Sequence, residues 1–126
     1  MKVHFTRLNH VQLTIPAGAE GEAREFYGRL LGLEELEKPK ALKGRGGLWF
    51  QIADVQLHLG VEEARPRSKR HPAFEVEELE RVREFLLGHG VEVKDEPTVP
   101  GYRRLSFFDP FGNRVELMEA AGDAPR

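Results

Sequence analysis

The chain contains no cysteine. Disulfides, thiolate metal sites and cysteine nucleophiles are therefore excluded. It also lacks any apolar run near the roughly 18 residues that span a membrane. Its opening, MKVHFTRLNHVQLTIP, has no uninterrupted apolar stretch of the kind that heads a secreted chain. Charge of one sign is missing too: 19 Lys and Arg stand against 21 Asp and Glu, for a net charge of −2. That balance argues against a nucleic-acid clamp or a polybasic membrane anchor. The expectation is a cytoplasmic protein with no nucleic-acid or membrane partner. Its 126 residues suffice for one domain of ordinary size.

What is present is a pattern stated twice. From His10, the residues Val11, Leu13 and Ile15 alternate with His10, Gln12 and Thr14 until Pro16 and Gly18 end the strand. A helix follows, with Ala23, Phe26, Tyr27, Leu30 and Leu31 at helical spacing and Gly32 as a left-handed stop. After the charged stretch EKPKALKGRGG come two strands, LWFQIA and VQLHLGV, with a turn at Asp54. The second half begins at His71, where Pro72, Phe74 and Val76 alternate with His71, Ala73 and Glu75. Leu79, Val82, Phe85 and Leu86 then mark a helix that GHGV stops. The short strand VEVKD, the loop EPTVPGY and the strands RRLSFF and RVELMEA complete the half. Between the last two, DPFGN suits a turn, with Gly112 free to take a positive φ.

The two halves repeat at an offset of about half the chain. They predict an α+β protein of two βαβββ modules, about 5–62 and 70–119, in a single domain. Each helix would lie outside a curved, mostly antiparallel sheet around a cavity. The apolar sides of the strands should pack on the helices. The opposite sides carry His10 and Gln12, Gln56 and His58, His71 and Glu75, and Glu116 and Met118. The repeat maps His10 onto His71 and His58 onto Glu116. A wet sheet face needs no ligand to explain polar residues. Yet a carboxylate gathered among three imidazoles costs several kcal/mol unless water or a cation neutralises it. Histidine and carboxylate donors suit one divalent ion: Zn, Ni, Fe, Mn or Co. Without His58, two histidines and one carboxylate remain.

Four segments resemble the vicinal oxygen chelate superfamily, which includes glyoxalase I, extradiol dioxygenases, fosfomycin-resistance proteins and bleomycin-binding proteins. NHVQLTIP resembles its first ligand strand, and REFYGRLLGLEE its first helix and glycine stop. RHPAFEVEELE resembles the opening of its second module, and FFDPFGNRVELME its closing hairpin. The resemblance implies the metal ligands His10, His58, His71 and Glu116. Glyoxalase-like members have a carboxylate at the place of His58, whereas fosfomycin-type members use only the equivalents of His10, His71 and Glu116. It also implies a homodimer, since members of this length often pair.

The expected function is a metal-dependent enzyme of glyoxalase or dioxygenase type, a lyase, isomerase or dioxygenase. It would chelate a small oxygen-bearing substrate to one ion, which stabilises developing negative charge. Glu116 is the expected catalytic base. Gln12 and Gln56 share the ligand parity and could orient substrate. Arg103 and Arg104 alternate, so one of them should face inward and could fork onto a carboxylate or phosphate. Arg45 and Tyr102 are placed in loops that could close over a pocket. One of Trp49 and Phe50 should line the cavity. Those aromatics, with Phe107 and Phe108, also allow a second reading: a bleomycin-resistance-type protein that binds a drug or aromatic ligand without turnover.

Overall fold

The computed structural model describes residues 1–2, 4–64 and 66–121. The chain divides into two compact units, Met1–Ala64 and Arg65–Arg126. The first contains β1 (His10–Ile15), α1 (Glu20–Ala23) running on as a π-helical segment (Arg24–Leu30), and β2 (Glu34–Leu36). A 3-10 segment (Lys40–Arg45), β3 (Leu48–Ile52) and β4 (Val55–Val61) follow. The second contains β5 (Ala73–Glu75), α2 (Leu79–Gly88), β6 (Glu92–Asp95), β7 (Tyr102–Phe108) and β8 (Arg114–Ala120).

The sheet orders are β1-β4-β3-β2 and β5-β8-β7-β6, the same order in both units. In each sheet the first pair is parallel and the other two are antiparallel. The repeat in the sequence is thus a repeat of strand order, carried by two four-stranded sheets. Glu116 lies opposite Ala73, two residues past His71. His58 lies opposite Gln12, two residues past His10. The two pairs singled out from the repeat therefore occupy equivalent register positions.

Strand alternation places the apolar residues on one face. In the first unit Ile15, Leu48, Phe50, Leu57 and Leu59 are buried, as are Ala23, Phe26 and Tyr27 of the helical segments. The Tyr27 and Phe50 rings meet at 6.1 Å. Each such side chain contributes roughly 1.5–3 kcal/mol on burial. In the second unit Leu105, Phe107, Val115 and Leu117 are buried along with Leu79 and Leu86 of α2, which packs on β6, β7 and β8. Both helical stops occur where expected. Gly32 has φ 78° and Gly90 has φ 75°. After Leu86, the Val91 and Gly90 N–H groups return to the Leu86 and Leu87 carbonyls. In the DPFGN turn, Asp109 Oδ1 accepts from the Phe111 and Asn113 N–H groups.

The structure corrects several boundaries. The strand expected from His71 is confined to Ala73–Glu75. Pro72 has no N–H to give the ladder, although its carbonyl accepts from the Glu116 N–H. Tyr102 opens β7 and is not a loop residue. The charged stretch before β3 contains a 3-10 turn, and β2 is a three-residue edge strand that alternation did not reveal. At α2 no Ser, Thr, Asp or Asn caps the N-terminus. Glu119 reaches over from β8 and accepts from the Glu78 and Leu79 N–H groups. Among the described residues, no helix is long and apolar enough to cross a membrane.

Candidate metal and ligand site

In the first unit, β1, β3 and β4 direct His10, Gln12, Trp49, Gln56 and His58 to the face opposite the helix. Three of these rings form a stack. His58 lies between Trp49, at 3.9 Å and 3°, and His10, at 4.1 Å and 13°. His58 is 7% exposed, and its Nε2 is 2.9 Å from Gln56 Oε1. Burial, reinforced by His10 and Lys38, pushes its pKa below the ordinary histidine value. His58 thus faces a ring stack, with a glutamine on its Nε2. Of Trp49 and Phe50, Trp49 takes this face and Phe50 packs on Tyr27.

His10 is arranged differently. Its Nδ1 lies 2.9 Å from Asn9 Oδ1. An amide oxygen can only accept, so Nδ1 is the donor, and in the neutral ring Nε2 is left with the lone pair. An oxygen acceptor behind one ring nitrogen is how proteins orient a histidine ligand. Beside these residues is a cavity of about 700 Å³, lined by His10, Gln12, Lys38, Arg45, Trp49 and Gln56, with no acidic residue in its walls among the described residues.

In the second unit, Glu116 is buried at 4% exposure. Two groups meet it. Arg104 Nη1 donates to both carboxylate oxygens at 3.2 and 3.3 Å. His71 Nε2 lies 3.0 Å from Oε1. Arg104 is thus the arginine on the Glu116 face. Arg103 points the other way and pairs with Glu119 at 2.9 Å. Tyr102, Arg104 and Ser106 share one face of β7, opposite Ala120, Met118 and Glu116.

The His71 ring supplies the test of whether a cation fits. Its Nδ1 is 2.7 Å from the Lys69 carbonyl oxygen. A carbonyl and a carboxylate both only accept, while a neutral imidazole has one N–H. The ring therefore either holds two protons or turns a lone pair toward the same point as Glu116. Two neighbouring donors on one ion, each about 2.1 Å away, stand about 3 Å apart. The observed separation accommodates that spacing as well as an N–H···O hydrogen bond, and the donor types suit a divalent ion. Among the described residues, no group of three or more His, Cys, Asp or Glu side chains forms a metal-type cluster. The structure brings together His10 with His58, and His71 with Glu116.

Several supporting residues were not anticipated from sequence. Glu96, just after β6, accepts from Ser106 Oγ at 2.8 Å and Arg114 Nη2 at 2.6 Å. Its side chain is 6% exposed. The Ser106 hydrogen bond and then the Arg114 contact hold its carboxyl below the usual glutamate range, against the effect of burial. Ser106 is the register partner of Glu116, so this network lies directly beside it. Asn9 behind His10 was also missed, although its place next to a candidate ligand was a signal.

A family model described as the Glyoxalase/Bleomycin resistance protein/Dioxygenase superfamily matches residues 7–117. The chain belongs to this superfamily. A glyoxalase family protein from Bacillus anthracis is 43% identical, with a TM-score of 0.88, over 96% of this chain and 100% of that one. A glyoxalase family protein from Enterococcus faecalis is 28% identical, with a TM-score of 0.70, over 91% and 98%. The fosfomycin resistance protein FosX from Listeria monocytogenes, complexed with Mn(II) and sulfate, is 23% identical. Its TM-score is 0.76 over 94% of this chain and 93% of that one, a likeness of fold. No curated protein matches the chain. The α+β fold of βαβββ modules expected from the repeat is that of these superfamily structures.

Proposed function

We propose that this superfamily member is a metal-dependent enzyme of glyoxalase or dioxygenase type. It acts on a small oxygen-bearing substrate chelated to one divalent ion: Zn, Ni, Fe, Mn or Co. The supporting observation is His71, whose Nδ1 is committed to a carbonyl while Nε2 meets the Glu116 carboxylate. His10, His71 and Glu116 would hold the ion. His58 is better suited to holding the His10 ring in place, because its Nε2 already faces Gln56. The bound ion would supply Lewis-acid stabilisation of a developing enolate or alkoxide.

The chain's own residues set the rest of the chemistry. Asn9 and the Lys69 carbonyl fix the tautomers of His10 and His71. Arg104 holds both Glu116 carboxylate oxygens and so orients the side chain. Glu116 is the candidate base, facing His71 on one side and Arg104 on the other. Elemental analysis and calorimetric metal titration test this reading. The wild type should bind one divalent ion per chain. Failure of His71→Ala and Glu116→Ala to abolish uptake would remove the proposed centre.

The non-catalytic alternative, a protein that captures an aromatic ligand, draws support from the Trp49 ring stack. It predicts ligand binding that is indifferent to chelator.

A further inference from the structure

We propose that the cavity of the first unit binds a planar organic anion, an aromatic carboxylate by class, against Trp49 with its charge on Arg45 and Lys38. This deepens the proposed function by naming a substrate class, and it rests on that reading only in bringing the ligand's oxygens near His10.

The lining is selective in charge. Among the described residues its two full charges, Lys38 and Arg45, are both positive, and the carboxylate beside Gly46, that of Glu20, is not in the lining. Elsewhere in this unit Arg24, Arg29 and Lys43 pair with Glu35, Glu25 and Glu37, while Arg7 donates to the Asp54 carbonyl. Arg45 has no side-chain hydrogen bond or ion pair among the described residues. Lys38 donates to the Gly46 carbonyl, a neutral acceptor. Glu20, whose charge Lys38 also feels, gives an oxygen to the Gly47 N–H at 2.9 Å. A half-buried ammonium and an open guanidinium on one apolar-edged cavity are complementary to a carboxylate, with the guanidinium able to fork onto it.

The shape of the ligand follows from the remaining lining. Trp49 is part of a stack of nearly parallel rings, and Leu42 and Val61 add apolar wall. Flat rings and aliphatic edges favour a planar apolar body. A volume of about 700 Å³ lies within the range of small-molecule sites. The loop bearing Arg45 is fixed at its root, since a Cβ on Gly47 would lie 2.1 Å from the Leu59 carbonyl oxygen. Its 3-10 turn is an intrinsically weak element that can adjust to a ligand.

Trp49 is the single tryptophan, so tryptophan emission, excited beyond the absorption of the two tyrosines, reports on this cavity. Metal-free protein is titrated with benzoate, benzamide and acetate. Benzoate should give a saturable change and bind at least about tenfold more tightly than benzamide or acetate, as one charge-assisted contact provides. Arg45→Ala should abolish that preference and Arg45→Lys should keep most of it. Equal binding of benzoate and benzamide, absence of a saturable benzoate response, or an Arg45→Ala protein that discriminates like wild type overturns the proposal. Metal uptake measured on the same samples separates the two readings. Intact metal binding without benzoate preference sinks this inference alone, and the reverse sinks the metal centre alone.

Discussion

At equivalent register positions the two units present different chemistry. Trp49 lies opposite His58 in the first, and Ser106 lies opposite Glu116 in the second. The first unit fills these places with three stacked rings. The second fills them with an imidazole, a carboxylate and the Ser106 hydroxyl, flanked by the Arg104 guanidinium and backed by the Glu96–Ser106–Arg114 network. One strand order therefore serves two purposes. Stacked rings hold a shape with little charge, whereas the second unit concentrates charge and must satisfy every donor it buries. The difference teaches that a duplicated scaffold conserves where side chains point, not what they are.

The largest expected effect breaks the charged half. Glu116→Ala should eliminate metal uptake and also leave Arg104 without its carboxylate, lowering Tm. Full metal occupancy in this variant would show that the two units do not divide the work in this way. Mixing Glu116→Ala with His10→Ala protein sharpens the point: a homodimer whose copies exchange donors regains metal on mixing, and independent chains do not.

The next effect is on stability. Glu96→Gln leaves Arg114 short of its counter-charge and should cost about 2–3 kcal/mol, read by urea unfolding. The pH dependence has a definite sign. Because the folded-state pKa of Glu96 is depressed, its contribution is complete above the unfolded value near 4.5. It is lost as pH falls below that value and through the folded one. Wild type should therefore lose stability on acidification more steeply than Glu96→Gln. Parallel acid curves for the two proteins would remove Glu96 from the account.

A smaller effect concerns orientation. Asn9→Ala removes the acceptor behind His10 and should weaken metal affinity about 10–100-fold while leaving Tm nearly unchanged. Asn9→Asp should restore it. The smallest effect tests the aromatic half. His58→Leu keeps bulk but loses the stack, and should cost about 1 kcal/mol with metal uptake retained. Loss of metal there would promote His58 from support to ligand.

Much of this comparison was legible in the sequence because alternation is local. The parity of β1, β4 and β8 put His10, His58 and Glu116 on the face away from the helices, and the register agrees. What the sequence could not show was which residues meet across strands. Arg103 and Arg104 stayed ambiguous until pairing set Arg104 opposite Met118 and Arg103 opposite Glu119. Glu96 sits in a loop with no periodicity, and its partners come from two other strands. His58 shares the ligand parity, but the placing of its ring between Trp49 and His10 with Nε2 on Gln56 is a matter of side-chain packing that spacing does not encode.

Gly47 carries a consequence for how such a protein diversifies. With no room for any side chain against Leu59, that position is a fixed hinge pin, while the tip from Lys40 to Arg45 answers to no comparable constraint. Loop exchange between relatives could thus retarget the chemistry wholesale, provided the graft ends before the pin.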